Sequence, residues 1–272
     1  KKLLPSMSKK DQIKIIYYKD ELNDEFAGDS IKPKKIDEHF FYGDNSFAWR
    51  IIHYFWYKII AHPIAYFFMK LKYRHVFVNK KAIKPYIKSA KFQIGNHTNN
   101  IADALIPSFM QFPNHNYLIV NANNVSMPFL GKITPYLGAI PLPDNMAATK
   151  HFMNYLKLRI EGNSSITIYP EAHIWPFYTK IRPFSDQSFR YPVQYDVPTF
   201  AFTNTYHKRK FSKNPKIITY IDGPFFPDKN LSSKEQRKDL RDRIYKAMVE
   251  RSKNNDIELI KYIKLESEEN ND

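Results

Sequence analysis

The sequence contains no cysteine in 272 residues. This absence excludes disulfide bonds, a catalytic thiol, thiolate zinc sites and palmitoylation. Glycine is also scarce, with 7 residues, and no glycine-rich phosphate-binding loop is found. The stretch after Lys1 is charged and polar and lacks the apolar core of a signal peptide. The lack of cysteine fits a reducing, cytoplasmic setting.

Acidic residues are fewer than basic ones: the chain has 27 Asp and Glu and 42 Lys and Arg, which gives a formal net charge of +15. Such a charge favours anionic partners, which include phospholipid headgroups, nucleic acid and acidic carrier proteins. A nucleic-acid-binding protein would need a basic recognition helix, an aromatic strand or a zinc motif, and none of these patterns is found. We therefore expect no nucleic-acid partner, and a basic nucleic-acid-binding protein is the rival interpretation from a different class.

No apolar run is clean enough for a membrane-spanning helix, which needs about 20 residues. The densest run, residues 47–73, is broken by charged residues and by Pro63. Since charge at the centre of a span is costly, we expect this segment to lie in the membrane interface as a helical hairpin. A buried helix pair is the alternative. The residues expected to contact headgroups and anionic lipid are Trp49, Arg50, Trp56 and Lys58.

The rest of the chain alternates short β-rich runs with helix-like runs, which predicts an α/β domain. The predicted strands lie at 75–79, 91–95, 116–120, 165–169, 198–203 and 216–221. Helices are predicted near 101–111, 146–161 and 232–253, the last of which begins with a capping box. The chain thus divides into a polar extension (1–46), the interfacial segment (47–73), a main domain (74–256) and a C-terminal tail (257–272).

A candidate catalytic pair follows the strand at 91–95, where the sequence reads Asn96-His97-Thr98-Asn99-Asn100 and continues to Asp103. Open α/β sheets place their sites at such strand ends. Imidazole suits general-base chemistry, and a carboxylate on its other nitrogen would fix the tautomer. On a continuous helix His97 and Asp103 would diverge, so we predict a turn at residues 98–100. Taken singly, each could be an ordinary strand-end histidine or first-turn acid.

This stretch resembles the signature of the glycerolipid acyltransferase superfamily, an Asn-His followed by an Asp. One more residue than in most members separates His97 from Asp103. Three further blocks are similar to the family's, at residues 138–143, at Tyr169-Pro170-Glu171 and at residues 197–200. All occur in the family's order, and the aromatic segment at 47–72 matches the membrane-docking helices of bacterial members. Ordered blocks of this kind make the resemblance specific.

The resemblance implies a twisted mixed sheet flanked by helices, with an N-terminal membrane-docking helical segment. It also implies a reaction without metal or bound cofactor. In that reaction His97, held by Asp103, deprotonates an acceptor hydroxyl that attacks an acyl thioester of coenzyme A or acyl carrier protein. Asn96 and Glu171 would contact the acceptor, and backbone N–H groups of the turn after Gly95 would stabilise the oxyanion. The implied location is the cytoplasmic face of the cell membrane, on its anionic surface.

The sequence departs from the family where lysophospholipid-type members bind the acceptor's phosphate. Arginines are expected in the second and third blocks, but here those places read Pro143-Asp144-Asn145 and Ala172-His173-Ile174. Because a phosphorylated acceptor needs fixed positive charge, we expect Lys180 and Arg182 to replace them. An ordinary surface cation is the alternative for each residue taken singly.

The expected acceptor is 1-acylglycerol-3-phosphate, and an unphosphorylated alcohol or glycan is the alternative. A peripheral membrane protein without activity would leave the His97–Asp103 pair unexplained. Glu171 and His173 suggest a metal pair, but no third ligand follows at metal-like spacing, so we expect no metal.

Overall fold

A computed structural model describes residues 13–27, 31–44 and 46–265. The strands are β1 (Lys14–Tyr18), β2 (Val76–Val78), β3 (Lys91–Gly95), β4 (Asn116–Val120), β5 (Ala139–Pro141), β6 (Ser165–Ile168), β7 (Thr199–His207), β8 (Lys216–Phe225) and β9 (Ile260–Lys264). A 7-stranded sheet has the order β2-β8-β7-β3-β6-β4-β5. Its neighbouring strands are parallel except for the antiparallel pair β7–β8. The predicted mixed sheet is confirmed.

Helices cover both faces of this sheet. They are α1 (Phe47–Tyr54), α2 (His62–Tyr73), α3 (Ala102–Gln111), α4 (Asn123–Ser126), α5 (Leu130–Ile133), α6 (Met146–Glu161), α7 (Arg190–Tyr195) and α8 (Ser233–Ser252), with a π-helical segment at Phe55–Ala61. Short 3-10 helices lie at Lys80–Tyr86, Thr134–Leu137 and Gln187–Phe189. On one face α6 and α8 pack against Phe92 and Ile94 of β3, and on the other α2 and α3 pack against Phe200 and Phe202 of β7. β3 therefore lies at the centre of a three-layer structure.

Residues 47–73 form one continuous helix, so the predicted hairpin is wrong. The junction residues Phe55 and His62 both keep right-handed helical backbone angles. The N–H of His62 donates to the carbonyl of Tyr57, five residues earlier. This wider π-helical turn accommodates Pro63, which has no N–H and would clash with a carbonyl in a regular α-helix. Among the described helices, none has the length and apolar character needed to cross a bilayer.

The two ends of the described chain meet in a second, 2-stranded sheet, in which β1 and β9 run parallel. The sequence patterns predict neither strand, since β1 lies within the polar extension and β9 within the tail. The acidic end of that tail, residues 266–272, lies outside the described residues. Residues 31–44 wrap over the main domain: Ile36 and Tyr42 are buried, and the Ile36 N–H donates to Asp144 at 2.6 Å.

Candidate active site

Packing and hydrogen bonds hold the end of β3, which directly precedes the candidate pair in the sequence. Gly95 lies against the ring of Phe202, and a Cβ atom at this position would overlap that ring, so only glycine fits. The Asn96 side chain donates to the Asn204 carbonyl (3.1 Å) and accepts the Asn204 N–H (2.8 Å). Asn96 is buried and fully engaged in this way. It anchors β3 to β7 and does not face a substrate, which corrects the contact predicted for it.

His97 and Asp103 meet as predicted. The Nδ1 atom of His97 lies 2.9 Å from Oδ2 of Asp103. The same oxygen accepts the backbone N–H groups of Thr98 and Asn99, each at 2.8 Å. Helix α3 begins only at Ala102, whose N–H donates to the Asn99 side chain at 3.0 Å. The chain therefore turns between β3 and α3, and the turn predicted from the Asn-rich spacing is confirmed.

These contacts fix the tautomer of His97. Because Oδ2 of Asp103 accepts two backbone N–H groups, it acts as an acceptor toward the imidazole too, and Nδ1 carries the proton. Nε2 is then the ring nitrogen left for a substrate, on a side chain that is 18% exposed. The ring of Tyr169 stacks on the imidazole with centroids 4.4 Å apart, and its hydroxyl donates to the Asp103 carbonyl at 2.5 Å. Tyr169 thus supports both members of the pair.

Glu171 holds the backbone of the site and does not face an acceptor, contrary to prediction. Its Oε2 accepts the His97 N–H (2.9 Å) and its Oε1 accepts the Arg182 N–H (3.0 Å). The Arg182 guanidinium lies 3.6 Å from Oε2, and both side chains are buried. Burial raises the pKa of the Glu171 carboxyl, and the charge of Arg182 opposes that rise.

Arg182 does not offer a free guanidinium to a phosphate, which corrects its predicted role. It stacks over the ring of Trp175, 4.9 Å from the centroid, and donates to the carbonyls of His173 and Glu21. A buried arginine whose two terminal NH₂ groups donate to backbone carbonyls is part of the packing. Lys180 is exposed, and no described contact joins it to His97.

The loop at residues 172–182 braces the turn that carries the histidine. The Trp175 N–H donates to the His97 carbonyl (3.2 Å), and the Phe177 N–H donates to the Thr98 carbonyl (2.8 Å). Together with the hydrogen bond from the His97 N–H to Glu171, these bonds hold the turn in place. The sequence analysis missed this role, for which the aromatic cluster Trp175-Pro176-Phe177-Tyr178 is the available signal.

The two ends of the described chain secure the same loop. Trp175 is packed between Tyr18 of β1, at 4.7 Å, and Tyr262 of β9, at 5.0 Å between ring centroids. Its indole N–H donates to the Asp24 carbonyl at 2.7 Å, and the Tyr262 hydroxyl donates to the Pro176 carbonyl at 2.9 Å. The polar extension is therefore a structural support of the candidate site.

Three of the backbone N–H groups predicted to stabilise the oxyanion are occupied within the protein. The N–H of His97 is taken by Glu171, and the N–H groups of Thr98 and Asn99 are taken by Asp103. A backbone donor already bonded to a buried carboxylate is not free for a developing oxyanion. The turn serves instead to place the imidazole.

Arg182→Ala is expected to lower the free energy of unfolding by about 3–5 kcal/mol, because it leaves the buried carboxylate of Glu171 without its charge partner. Urea unfolding measures this effect. The matched control is Lys180→Ala, which removes an exposed cation nearby and should change stability by less than about 0.5 kcal/mol. Unchanged stability of Arg182→Ala, combined with a raised acceptor KM, would instead restore the predicted substrate contact.

Two of the predicted membrane residues face the protein. Trp49 is only 5% exposed, stacks on His53 at 4.6 Å and lies against Arg159. The Lys58 ammonium donates to the carbonyls of Pro113 and Asn114, and burial lowers its pKa to about 8. These two predictions are therefore corrected.

The other two predicted membrane residues are accessible, since Arg50 is exposed and Trp56 is half-buried. The helix at 47–73 also presents a broad apolar surface to solvent. Its large apolar side chains with at least 40% exposure are Phe47, Ile51, Ile52, Tyr54, Phe55, Ile59, Ile64, Tyr66, Phe67 and Leu71. We call these residues the exposed apolar face.

The region that contains this site is similar to known proteins. Residues 86–203, which contain His97, Asp103 and Glu171, match the family described as Acyltransferase. The crystal structure of the 1-acyl-sn-glycerophosphate (LPA) acyltransferase PlsC from Thermotoga maritima has a similar fold, with a TM-score of 0.52 and 18% sequence identity over 76% of this chain and 80% of that chain. No curated protein matches the sequence significantly. The part of the chain that matches the Acyltransferase family is therefore built around the His97–Asp103 pair, and this match supports acyltransferase activity.

Proposed function

We propose that the protein is a membrane-associated O-acyltransferase that transfers a fatty acyl group from a thioester of coenzyme A or acyl carrier protein to 1-acylglycerol-3-phosphate. One observation carries the proposal: His97 donates through Nδ1 to the buried Asp103 and leaves Nε2 for a substrate. This is the arrangement that general-base catalysis on a hydroxyl requires.

The reaction follows from that geometry. The acceptor hydroxyl gives its proton to Nε2 of His97 while its oxygen attacks the thioester carbonyl carbon. Asp103 stabilises the imidazolium that forms, because its carboxylate already accepts the Nδ1 proton. When the tetrahedral intermediate collapses, the carbon–sulfur bond breaks and the thiolate recovers the proton from Nε2. The products are the acyl ester and the free thiol.

The identity of the acceptor rests on charge and on the relatives' chemistry. A formal net charge of +15 favours a phosphorylated acceptor and an anionic acyl carrier. One solved structure with a similar fold is an LPA acyltransferase. However, Asp144 accepts the Ile36 N–H, and Asn145 caps α6 by accepting the Ala148 N–H at 2.8 Å. Asp144 and Asn145, which stand where the family's phosphate-binding arginine is expected, therefore make structural hydrogen bonds. For this reason an unphosphorylated alcohol or glycan is the second candidate acceptor.

A matched pair of acceptors separates the two candidates. Lysophosphatidic acid and monoacylglycerol with the same acyl chain differ only in the phosphate, and each is supplied with acyl-CoA or acyl carrier protein thioesters. We expect lysophosphatidic acid to be acylated at least about tenfold faster, since charge-assisted hydrogen bonds contribute about 1.5–3 kcal/mol. Faster acylation of monoacylglycerol or of a sugar would select the second candidate. No product with any acceptor and thioester would refute the proposed function.

The exposed apolar face supports membrane association. Contiguous apolar surface of this kind marks an interaction site on a soluble domain. The exposed cations Arg50, Lys70 and Arg74 belong to the same helix or follow it directly, where they would meet anionic headgroups. An interfacial helix carries this combination of an apolar face and flanking positive charge. The proposed acceptor is itself a membrane lipid, so docking would bring the site to it.

A further inference from the structure

A series of buried, hydrogen-bonded polar side chains extends from the candidate pair into the sheet. While Oδ2 of Asp103 faces His97, Oδ1 accepts the side-chain amide of Asn204 on β7 at 3.2 Å. The carbonyl oxygen of that amide accepts the hydroxyl of Thr219 on β8 at 2.6 Å. The Thr219 oxygen in turn lies 2.9 Å from Nε2 of His75. The last three side chains are all buried, so each depends on these partners.

The hydrogen bonds in this series of polar side chains all run in the same donor-to-acceptor direction, toward Asp103. Thr219 has one hydroxyl proton and donates it to Asn204, so Nε2 of His75 must donate to Thr219. Burial, with smaller contributions from Lys70 and Lys80, lowers the pKa of His75 to about 3, and the ring is neutral. Each donor therefore polarises the next toward the candidate pair, and aligned chains of this kind strengthen cooperatively in a low-dielectric interior.

We propose that Asn204 and Thr219 are positioning residues that hold the Asp103 carboxylate in the orientation that His97 requires. Neither residue touches the substrate, and both lie beyond residues 197–200, the last block that resembles the family. Thr219 acts by fixing the Asn204 amide so that its N–H group faces Asp103. The inference rests on the proposed function of His97 as the general base.

The experiment compares Thr219→Val with Thr203→Val. Thr219→Val keeps the shape of the side chain but removes the donor to Asn204. Since a typical hydrogen bond contributes about 0.5–1.5 kcal/mol, we expect kcat to fall about threefold to tenfold with both KM values unchanged. Thr219→Ser should restore kcat. The control Thr203→Val removes an equally buried hydroxyl of β7 that has no hydrogen-bond partner in the described part of the chain, and should leave kcat as it is.

A second readout does not depend on turnover. The His97 Nδ1 proton gives a downfield proton NMR signal when it is bonded to a carboxylate, and this signal should broaden or move upfield in Thr219→Val but not in Thr203→Val. Equal behaviour of the two variants in kcat and in the NMR signal would overturn the inference, as would a loss that Thr219→Ser does not restore. If the wild type acylates no acceptor, the proposed function fails, and the NMR comparison still decides whether Thr219 positions Asp103.

Discussion

His97→Ala is expected to lower kcat by about a hundredfold or more, because the variant lacks the base that accepts the acceptor's proton. The thioester and acceptor KM values should change little, since the imidazole takes part in the chemical step. Steady-state assays with acyl thioesters measure the loss. Circular dichroism and thermal unfolding check that the fold survives, which we expect for a side chain at a partly exposed strand end.

The chain offers a matched control for this variant. His207 at the end of β7 also bonds through Nδ1 to a carboxylate, at 2.9 Å from Asp256, but lies outside the candidate site. His207→Ala should therefore keep wild-type turnover. Near-normal turnover of a well-folded His97→Ala variant would contradict the general-base role, and equal losses in the two variants would point to a structural effect of histidine removal.

Asp103→Asn is expected to be nearly as damaging, and the structure gives a specific reason. The two carboxylate oxygens accept hydrogen bonds from different sides, Oδ2 from His97 and two backbone N–H groups, and Oδ1 from Asn204. An amide at this position places its NH₂ group against one set of donors, whichever way it is turned. The double variant Asp103→Asn with Asn204→Asp restores a donor–acceptor match on the Oδ1 side. It should recover thermal stability but not kcat, because the charge beside His97 is still missing.

The local features of the site could be predicted from the sequence. The Asn-rich spacing after β3 leaves His97 and Asp103 within reach of each other only if a turn intervenes, and that turn is present. The strands at 91–95 and 116–120 and the helix at 146–161 also have their predicted bounds, because their apolar runs end at clear breaks. Such features depend on neighbouring residues, which sequence patterns describe well.

Burial by distant parts of the chain could not be predicted in the same way. The sequence identifies Glu171 and Arg182 as charged residues, but no sequence pattern shows that they form a buried ion pair with each other. Likewise β1 and β9 pair although they lie near opposite ends of the described chain, and no sequence pattern in either 5-residue strand indicates that pairing. β5 is short and ends at Pro141, so the sequence there has no alternation of apolar and polar residues that would predict a strand.

The helix at residues 47–73 carries a sequence signal for its buried face, but the signal has an unusual period. Its buried residues, Trp49, His53, Tyr57, Ala65, Met69 and Tyr73, are four positions apart, except that the half-buried Ala61 lies between Tyr57 and Ala65. A regular α-helix has 3.6 residues per turn, so such a stripe would drift around its surface. The π-helical segment at Phe55–Ala61 has a wider turn, which takes up part of the drift. Trp49 therefore faces the protein, although an aromatic residue in an apolar segment suggests lipid.

Replacing Phe67 and Leu71 together by Glu is expected to release the protein from anionic vesicles. These side chains are 62% and 76% exposed and lie one turn apart on α2. Burying each large apolar side chain contributes about 1.5–3 kcal/mol, so losing both should weaken vesicle binding by at least about a hundredfold. The added carboxylates also repel anionic headgroups. Co-sedimentation with phosphatidylglycerol-containing vesicles measures the change, and because both side chains are exposed, thermal unfolding should be unaffected.

The control places the same added charge elsewhere on the surface. Phe226 and Leu265 are 48% and 42% exposed and lie outside the helix, so replacing both by Glu should leave vesicle binding within about twofold of wild type if only the exposed apolar face enters the membrane. Equal loss in the two double variants would mean that overall charge, rather than this face, governs binding. Undiminished binding of the Phe67 and Leu71 variant would assign the exposed apolar face to a different partner. Trp49→Glu cannot serve this test, because the buried ring packs against His53 and its loss would disturb the fold before it reported on lipid.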